Sequence, residues 1–144
     1  MGIDPGKTGA AALIYHGGHS LVDWPGDAAL MVDYIRQWQH DHLVARAALE
    51  SVHAMPKQGV ASSFNFGCNL GQWMGLLAAL SIPYIMPRPQ QWKKGLVKKA
   101  DGKDPKLASL VVARRLFPEA HLSHKKHHGR ADALLIAYWA KNIT

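Results

Sequence analysis

Three acids in this chain break into apolar segments, and they are the residues with chemistry to offer. Asp4 lies in Gly2-Ile3-Asp4-Pro5-Gly6-Lys7-Thr8-Gly9-Ala10, after a short apolar lead and before a small-residue turn. Glu50 ends the apolar run Leu43-Val44-Ala45-Arg46-Ala47-Ala48-Leu49. Asp132 sits in Gly129-Arg130-Ala131-Asp132-Ala133-Leu134-Leu135-Ile136-Ala137, which reads as the first turn of an apolar helix. Singly, each has an ordinary explanation. Glu50 would be a strand-end acid paired with a nearby lysine or arginine, and Asp132 a carboxylate that complements a helix dipole. Together, acids so far apart in sequence and so alike in context predict a cluster assembled by the fold. Carboxylates gathered in that way repel one another unless they share a hard divalent cation.

The elements that must position these acids alternate along the chain. Ile3 and Ala10–Tyr15 read as a hairpin pair around the Gly-rich turn, and Ser20–Trp24 as a third short strand. Asp27–His40 has helical apolar spacing at Leu30, Met31, Tyr34, Ile35 and Trp38. Leu43–Glu50 reads as a buried strand, 51–58 as a loop, and Ser62–Leu80 as a helix. Gly67, Gly71 and Gly75 stripe one face of that helix and predict a close approach by another backbone. Ile82–Met86 is a strand, Gln90–Val97 a short helix or turn around Trp92, and Lys98–Asp104 a polar loop. Pro105–Leu116 is a helix with Pro at its first position. His121–His128 is a loop and Ala131–Lys141 the last helix. Three early strands followed by helix–strand alternation predict an α/β domain with a mixed sheet.

Composition bounds the function. The 144 residues suit one domain over 1–144 with a real core, and 48% hydrophobic residues argue against disorder. No apolar stretch has the length to cross a bilayer, and no signal peptide is visible. Cys68 alone excludes an intrachain disulfide framework and fits a reducing compartment. A formal charge of +7 predicts a polyanionic partner, nucleic acid ahead of a membrane surface. The lead before Asp4 is short for a strand, so a residue or two is expected to precede Met1.

The ordered set Gly2-Ile3-Asp4-Pro5-Gly6, Leu49-Glu50 and Ala131-Asp132-Ala133-Leu134-Leu135-Ile136-Ala137 resembles the RuvC family of Holliday-junction resolvases, within the ribonuclease-H-like superfamily. The first motif alone is shared with sugar kinases and actin-like ATPases, whose two-domain architecture this length excludes. The three motifs in order are far more specific, and they run nearly the whole chain. Gly67–Leu80, Pro87–Lys94 and His128–Ala137 are most similar to the branch with the chloroplast resolvase and its phage and bacterial relatives. The resemblance implies a ribonuclease-H-like fold, a five-stranded mixed sheet flanked by helices, usually as a homodimer. It implies paired nicking of four-way DNA junctions with Mg²⁺ or Mn²⁺. The cytoplasm of a bacterium or a phage-infected cell is the expected compartment, and an organelle matrix fits as well.

That activity suits the residues. Hydrolysis of a phosphodiester needs an activated water and charge relief at the leaving oxygen, which two Mg²⁺ ions supply. Asp4 would bridge the ions, with Glu50 on one and Asp132 on the other. Family members carry an acid or a histidine three or four residues before the last aspartate. Here the residue three before is Gly129, which cannot ligate, and His127 faces elsewhere. His128, four before, takes the fourth role as metal ligand or as the group that orients or deprotonates the water. A histidine there lowers the charge of the site and favours Mn²⁺. His121, His124, His127 and His128 do not make a zinc framework, and 124–127 reads as a phosphate-facing surface.

The basic residues are placed as a DNA binder needs them. Lys93, Lys94, Lys98, Lys99, Lys103 and Lys106 fall in one stretch, and Arg130 follows. Lys98, Lys99 and Lys106 lead as phosphate contacts, joined by Lys7, Lys57, Lys93, Lys94 and Arg130. Phe64 and Phe66, at the start of the Gly-striped helix, are candidates to stack on an unpaired base. Two rival readings share these features: a flap or RNA–DNA hybrid nuclease, and a junction-binding module that does not cut.

Overall fold

The computed structural model describes residues 1–53 and 59–143. Five strands form one mixed sheet: β1 Gly2–Asp4, β2 Ala10–Tyr15, β3 Gly18–Asp23, β4 Ala47–Leu49 and β5 Tyr84–Ile85, in the order β3-β2-β1-β4-β5. The β1–β2 and β2–β3 pairs are antiparallel, and β1–β4 and β4–β5 are parallel. The helices are α1 Ala28–Asp41, α2 Val60–Ala79, α3 Pro89–Lys93, α4 Pro105–Leu116 and α5 His128–Asn142. Short 3-10 turns lie at Lys99–Asp101 and Lys125–His127.

Strand alternation decides which way the acids face. Successive side chains of a strand point to opposite faces of the sheet. Ile3, Ala11, Leu13 and Leu49 join a core with Met31 and Ile35 of α1 and Trp73 and Leu77 of α2. Ala10, Ala12 and Ala48 join the opposite core, with Leu110 of α4 and Leu134 and Ile136 of α5. Asp4 follows Ile3 and Glu50 follows Leu49, so both acids fall on the α5 face. The parallel register sets Ile3 beside Leu49, and Glu50 N–H donates to the Ile3 carbonyl at 3.0 Å. The two acids therefore end neighbouring strands at the same level.

The second packing feature is the absence of side chains where α5 crosses β1. A Cβ at Gly2 would fall on the backbone of Ala133 and Ala137. A Cβ at Gly129 would fall on the Thr8 carbonyl and lie 3.3 Å from Asp4 Oδ2. Gly2 lets β1 meet α5 backbone to backbone, and Gly129 lets the start of α5 meet the turn after β1 in the same way. Between them the Gly6 φ of 128° turns the chain after Asp4, and Asn69 Oδ1 holds the turn by accepting from Gly6 N–H at 2.7 Å.

Several boundaries differ from expectation. The last helix begins at His128 rather than Ala131, because the His-rich segment winds into it through the 3-10 turn. The strand expected over Leu43–Glu50 is only Ala47–Leu49, since β5 pairs with no more than Ala47 and Ala48, and Leu43 is 89% exposed. Gly67, Gly71 and Gly75 lie on the exposed face of α2 with nothing in the chain within 4 Å of a Cβ. The close backbone approach expected there is not made within the chain. Ala54–Gln58, with Lys57, lies outside the described residues.

Gly2→Ala is expected to lower the denaturation midpoint by the equivalent of about 3 kcal/mol, because the clash is with helix backbone that cannot rotate away. Urea unfolding of the variant beside wild type measures this; an unchanged midpoint would mean that α5 does not press on β1.

Candidate active site

Helix α5 brings the last two candidate ligands to the first. His128 and Asp132, one helical turn apart, share the face that meets β1. One ligating atom from each of Asp4, His128 and Asp132 lies within 4.8 Å of the other two. Their environment resists so much negative charge. Burial, then Asp132, then Glu50 push the Asp4 carboxyl well above the usual carboxylate range, against Lys93 and Lys106. Burial likewise raises Asp132, and Lys93, Ser109, His128 and Lys106 offset part of the rise. Among the described residues, buried Asp132 Oδ1 nevertheless has no hydrogen bond of standard geometry, nor has Ser109 Oγ beside it. Burial and Lys106 hold His128 below the usual histidine range, so at neutral pH the imidazole keeps a free lone pair.

A divalent cation suits this arrangement. The three side chains offer two carboxylates and a neutral imidazole, a donor set for Mg²⁺ or, with its nitrogen, Mn²⁺. The buried Asp132 carboxylate and the raised Asp4 carboxyl would both gain from a positive ion between them.

Glu50 stands at the edge of this group. Its charge reaches Asp4, and Asp132 in turn raises its pKa, after burial. Its Oε1, however, accepts from Trp92 Nε1 at 2.8 Å, inside the core. Trp92 is fully buried and Glu50 is 7% exposed, so the indole fixes which oxygen stays free. Sequence reasoning missed Trp92 and Ser109. A buried indole N–H needs an acceptor, but nothing in the sequence names Glu50 as that acceptor.

Of the residues expected to meet DNA, two act directly on this centre. Lys106, in the first turn of α4, and Lys93 act electrostatically on Asp4 and Asp132. The Lys93 ammonium also sits 4.9 Å over the Trp92 ring. Lys94, Lys98 and Lys99 are exposed, and Lys7 is exposed on the turn after Asp4. Phe64 is 70% exposed on α2. Phe66 is half-buried, facing Gly6 and sharing a groove with Trp24 and Asn65. Arg130 is engaged: its Nε and Nη2 donate to Asp23 Oδ1 and Oδ2, each at 2.7 Å. His127, expected on a phosphate-facing surface, is only 5% exposed. Burial and then Arg130 hold it below the usual histidine range.

No protein-family model matches the chain. A structure of T. thermophilus RuvC in complex with Holliday junction substrate covers 96% of this chain and 89% of its own, with a TM-score of 0.62 at 18% identity. A second Thermus thermophilus RuvC structure covers 96% and 90%, with a TM-score of 0.55 at 22% identity. The chain has the RuvC fold. The five-stranded mixed sheet of RuvC implied by the sequence motifs is therefore present. Over 89 residues, 60% of its length, the chain is 43% identical to the chloroplastic Holliday junction resolvase MOC1 of Chlamydomonas reinhardtii. It spans about 10% of the length of that curated relative. Both likenesses agree with the RuvC resemblance read from the motifs around Asp4, Glu50 and Asp132.

Two expectations follow. The raised carboxyls bind more protons in the folded than in the unfolded chain, so without metal they contribute stability that is lost as pH rises through their folded pKa values. Metal-free stability from these groups should grow as pH falls from neutral toward the ordinary carboxylate range. Asp132→Asn should flatten that slope and raise the metal-free Tm at neutral pH by roughly 3 °C, about 1 kcal/mol. An identical pH slope in calorimetry of the two proteins would refute the buried-charge account. Trp92→Phe removes the donor together with part of the buried indole; it should weaken Mn²⁺ binding about tenfold and, through the cavity it leaves, lower stability by roughly 2 kcal/mol. Titration calorimetry giving wild-type affinity would free Glu50 from any dependence on the indole.

Proposed function

We propose that the chain is a structure-selective endonuclease that resolves four-way DNA junctions by metal-dependent phosphodiester hydrolysis. The observation that carries this is the convergence of Asp4, His128 and Asp132 to within 4.8 Å, at the end of β1 in a RuvC fold. The MOC1 likeness and the charge of +7 support DNA as the substrate.

In this reading Asp4, His128 and Asp132 would hold Mg²⁺ or Mn²⁺, and Glu50 would join Asp4 in holding a second ion. Such ions supply an activated water and charge relief at the leaving oxygen. The chain's own residues do the rest. Trp92 orients Glu50, and Lys93 and Lys106 draw a scissile phosphate toward the carboxylates. Neutral His128 either ligates or takes a proton from the attacking water. Lys94, Lys98 and Lys99 hold flanking phosphates, and exposed Phe64 stacks on an unpaired base at the junction centre.

We read the active species as a homodimer. Val60, 88% exposed, and Phe64 lie on the same exposed side of α2 as Gly67, Gly71 and Gly75. A two-fold axis there would set two centres on the two symmetric strands. The algal relative is named chloroplastic, which supports an organelle matrix beside the cytoplasm of a bacterium or phage-infected cell. Among the described residues no helix is long and apolar enough to cross a membrane.

The test is cleavage of an immobile four-way junction beside linear duplex, a flap and an RNA–DNA hybrid, with Mg²⁺, Mn²⁺ or EDTA. Paired nicks confined to the junction and lost in EDTA are expected, with two protomers per junction by sedimentation. Asp4→Asn should cut at least about 10³-fold more slowly, and bind the junction as wild type does. Cutting of flap or hybrid instead would keep the chemistry and change the substrate, whereas junction binding without cutting in any metal would make the chain a binding module.

A further inference from the structure

The start of α5 carries both His128 and Asp132, yet it lacks the local features that usually hold a helix start in place. His127 ahead of it gives no capping hydrogen bond, and the first turn holds no acid. Its second residue is Gly129, a poor helix former, and its third is Arg130, whose charge opposes the helix dipole. Gly129 also brings no side chain to its contact with Thr8 and Gly9. That contact sets how near the helix can come and gives little to keep it there.

Arg130 supplies the missing hold. Its Nε and Nη2 donate to the two oxygens of Asp23, each at 2.7 Å. Its Nη1 lies 2.9 Å from His121 Nδ1, which must accept because a guanidinium only donates. The same nitrogen donates to the His121 carbonyl at 3.1 Å. These contacts occupy most of the guanidinium N–H groups, and the side chain is 21% exposed. A two-pronged pair with a carboxylate fixes direction as well as distance.

Asp23 is placed so that this hold bears on the carboxylate cluster. It ends β3, and Ala10 of β2 pairs with Asp23 on one side and with Asp4 on the other. Asp4, Ala10 and Asp23 thus form one row across the sheet. Arg130 lies two positions from His128 and two from Asp132, and it ties α5 to the row that holds Asp4. The helix cannot slide over β1 or turn about its axis without pulling the fork apart.

We propose that Asp23 and Arg130 are positioning residues for the metal centre: their ion pair sets the place and rotation of α5, and so brings His128 and Asp132 to Asp4. The inference rests on the metal reading of Asp4, His128 and Asp132. In this role the Arg130 donors are already used within the chain, and Arg130 is not a phosphate contact.

The experiment compares the whole chain with its Asp23→Ala, Arg130→Ala and Arg130→Lys variants. Titration calorimetry reads Mn²⁺ affinity, and hydrogen exchange without metal reads the amides of Asp132 and Ala133. Each variant should bind Mn²⁺ about tenfold more weakly. The Asp23→Ala, Arg130→Ala double variant should lose no more than either single one, because both remove the same pair. Exchange at the start of α5 should be roughly fivefold faster in each. Arg130→Lys keeps the charge and loses the fork, so it should behave as Arg130→Ala does. Wild-type Mn²⁺ affinity in Asp23→Ala would overturn the proposal even beside a lowered Tm, since a merely structural pair moves Tm alone. A loss of junction affinity in Arg130→Ala that Arg130→Lys restores, with Mn²⁺ affinity intact, would return Arg130 to the phosphates. If the wild type itself binds no Mn²⁺ while exchange quickens in all three variants, the metal reading fails and the hold of Arg130 on α5 stands.

Discussion

The backbone-to-backbone contact of α5 with β1 is the constraint on which the site depends. Glycine at 2 and 129, with alanine at 133 and 137, removes the side chains that would hold helix and strand apart. The helix then lies close enough for His128 and Asp132 to reach a carboxylate that ends a three-residue strand. A single methyl group at either glycine would meet backbone, which has no rotamer to retreat into. The same closeness explains why the residue three before Asp132 is not an acid. Any side chain at 129 would occupy the space of the Thr8 carbonyl, whereas His128, one position earlier, comes within 4.8 Å of Asp4 and Asp132.

Placing acids so near one another within a protein interior runs against stability. Asp4, Glu50 and Asp132 each carry a burial cost and a mutual repulsion, relieved in part by Lys93, Lys106 and the Trp92 indole. These partners sit on α3 and α4, the elements that pack around α5 on this face of the sheet. The apolar core beneath, with Trp92, Leu110, Leu134 and Leu135 fully buried, supplies the rigidity that keeps such groups together. Stability given up locally in this way is a pattern common to functional sites.

The two faces of the sheet divide the labour. The α4 and α5 face carries the acids and the two lysines that act on them. The α1 and α2 face is a plain apolar core closed by Trp73, Met31 and Leu77, and its outer helix shows an apolar and glycine-rich side to solvent. The strands between the two faces, alternating inside and out, link them.

The sequence by itself determined the element types and the acid motifs. Period-two and period-3.6 apolar patterns are local, so β2, α1, α4 and the apolar body of α5 were legible to within a few residues. Asp4, Glu50 and Asp132 were legible because each interrupts an apolar run, where an acid needs a reason. Tertiary structure decided what depends on neighbours distant in sequence. β4 is cut short by the brevity of β5, and α5 gains a turn because the His-rich segment packs instead of looping out. Glu50 is oriented by an indole 42 positions away, and Arg130 is drawn off by Asp23 across 107 positions. Hydrogen bonds and backbone contacts of that kind are set by register and close packing, and the local pattern of a chain carries neither.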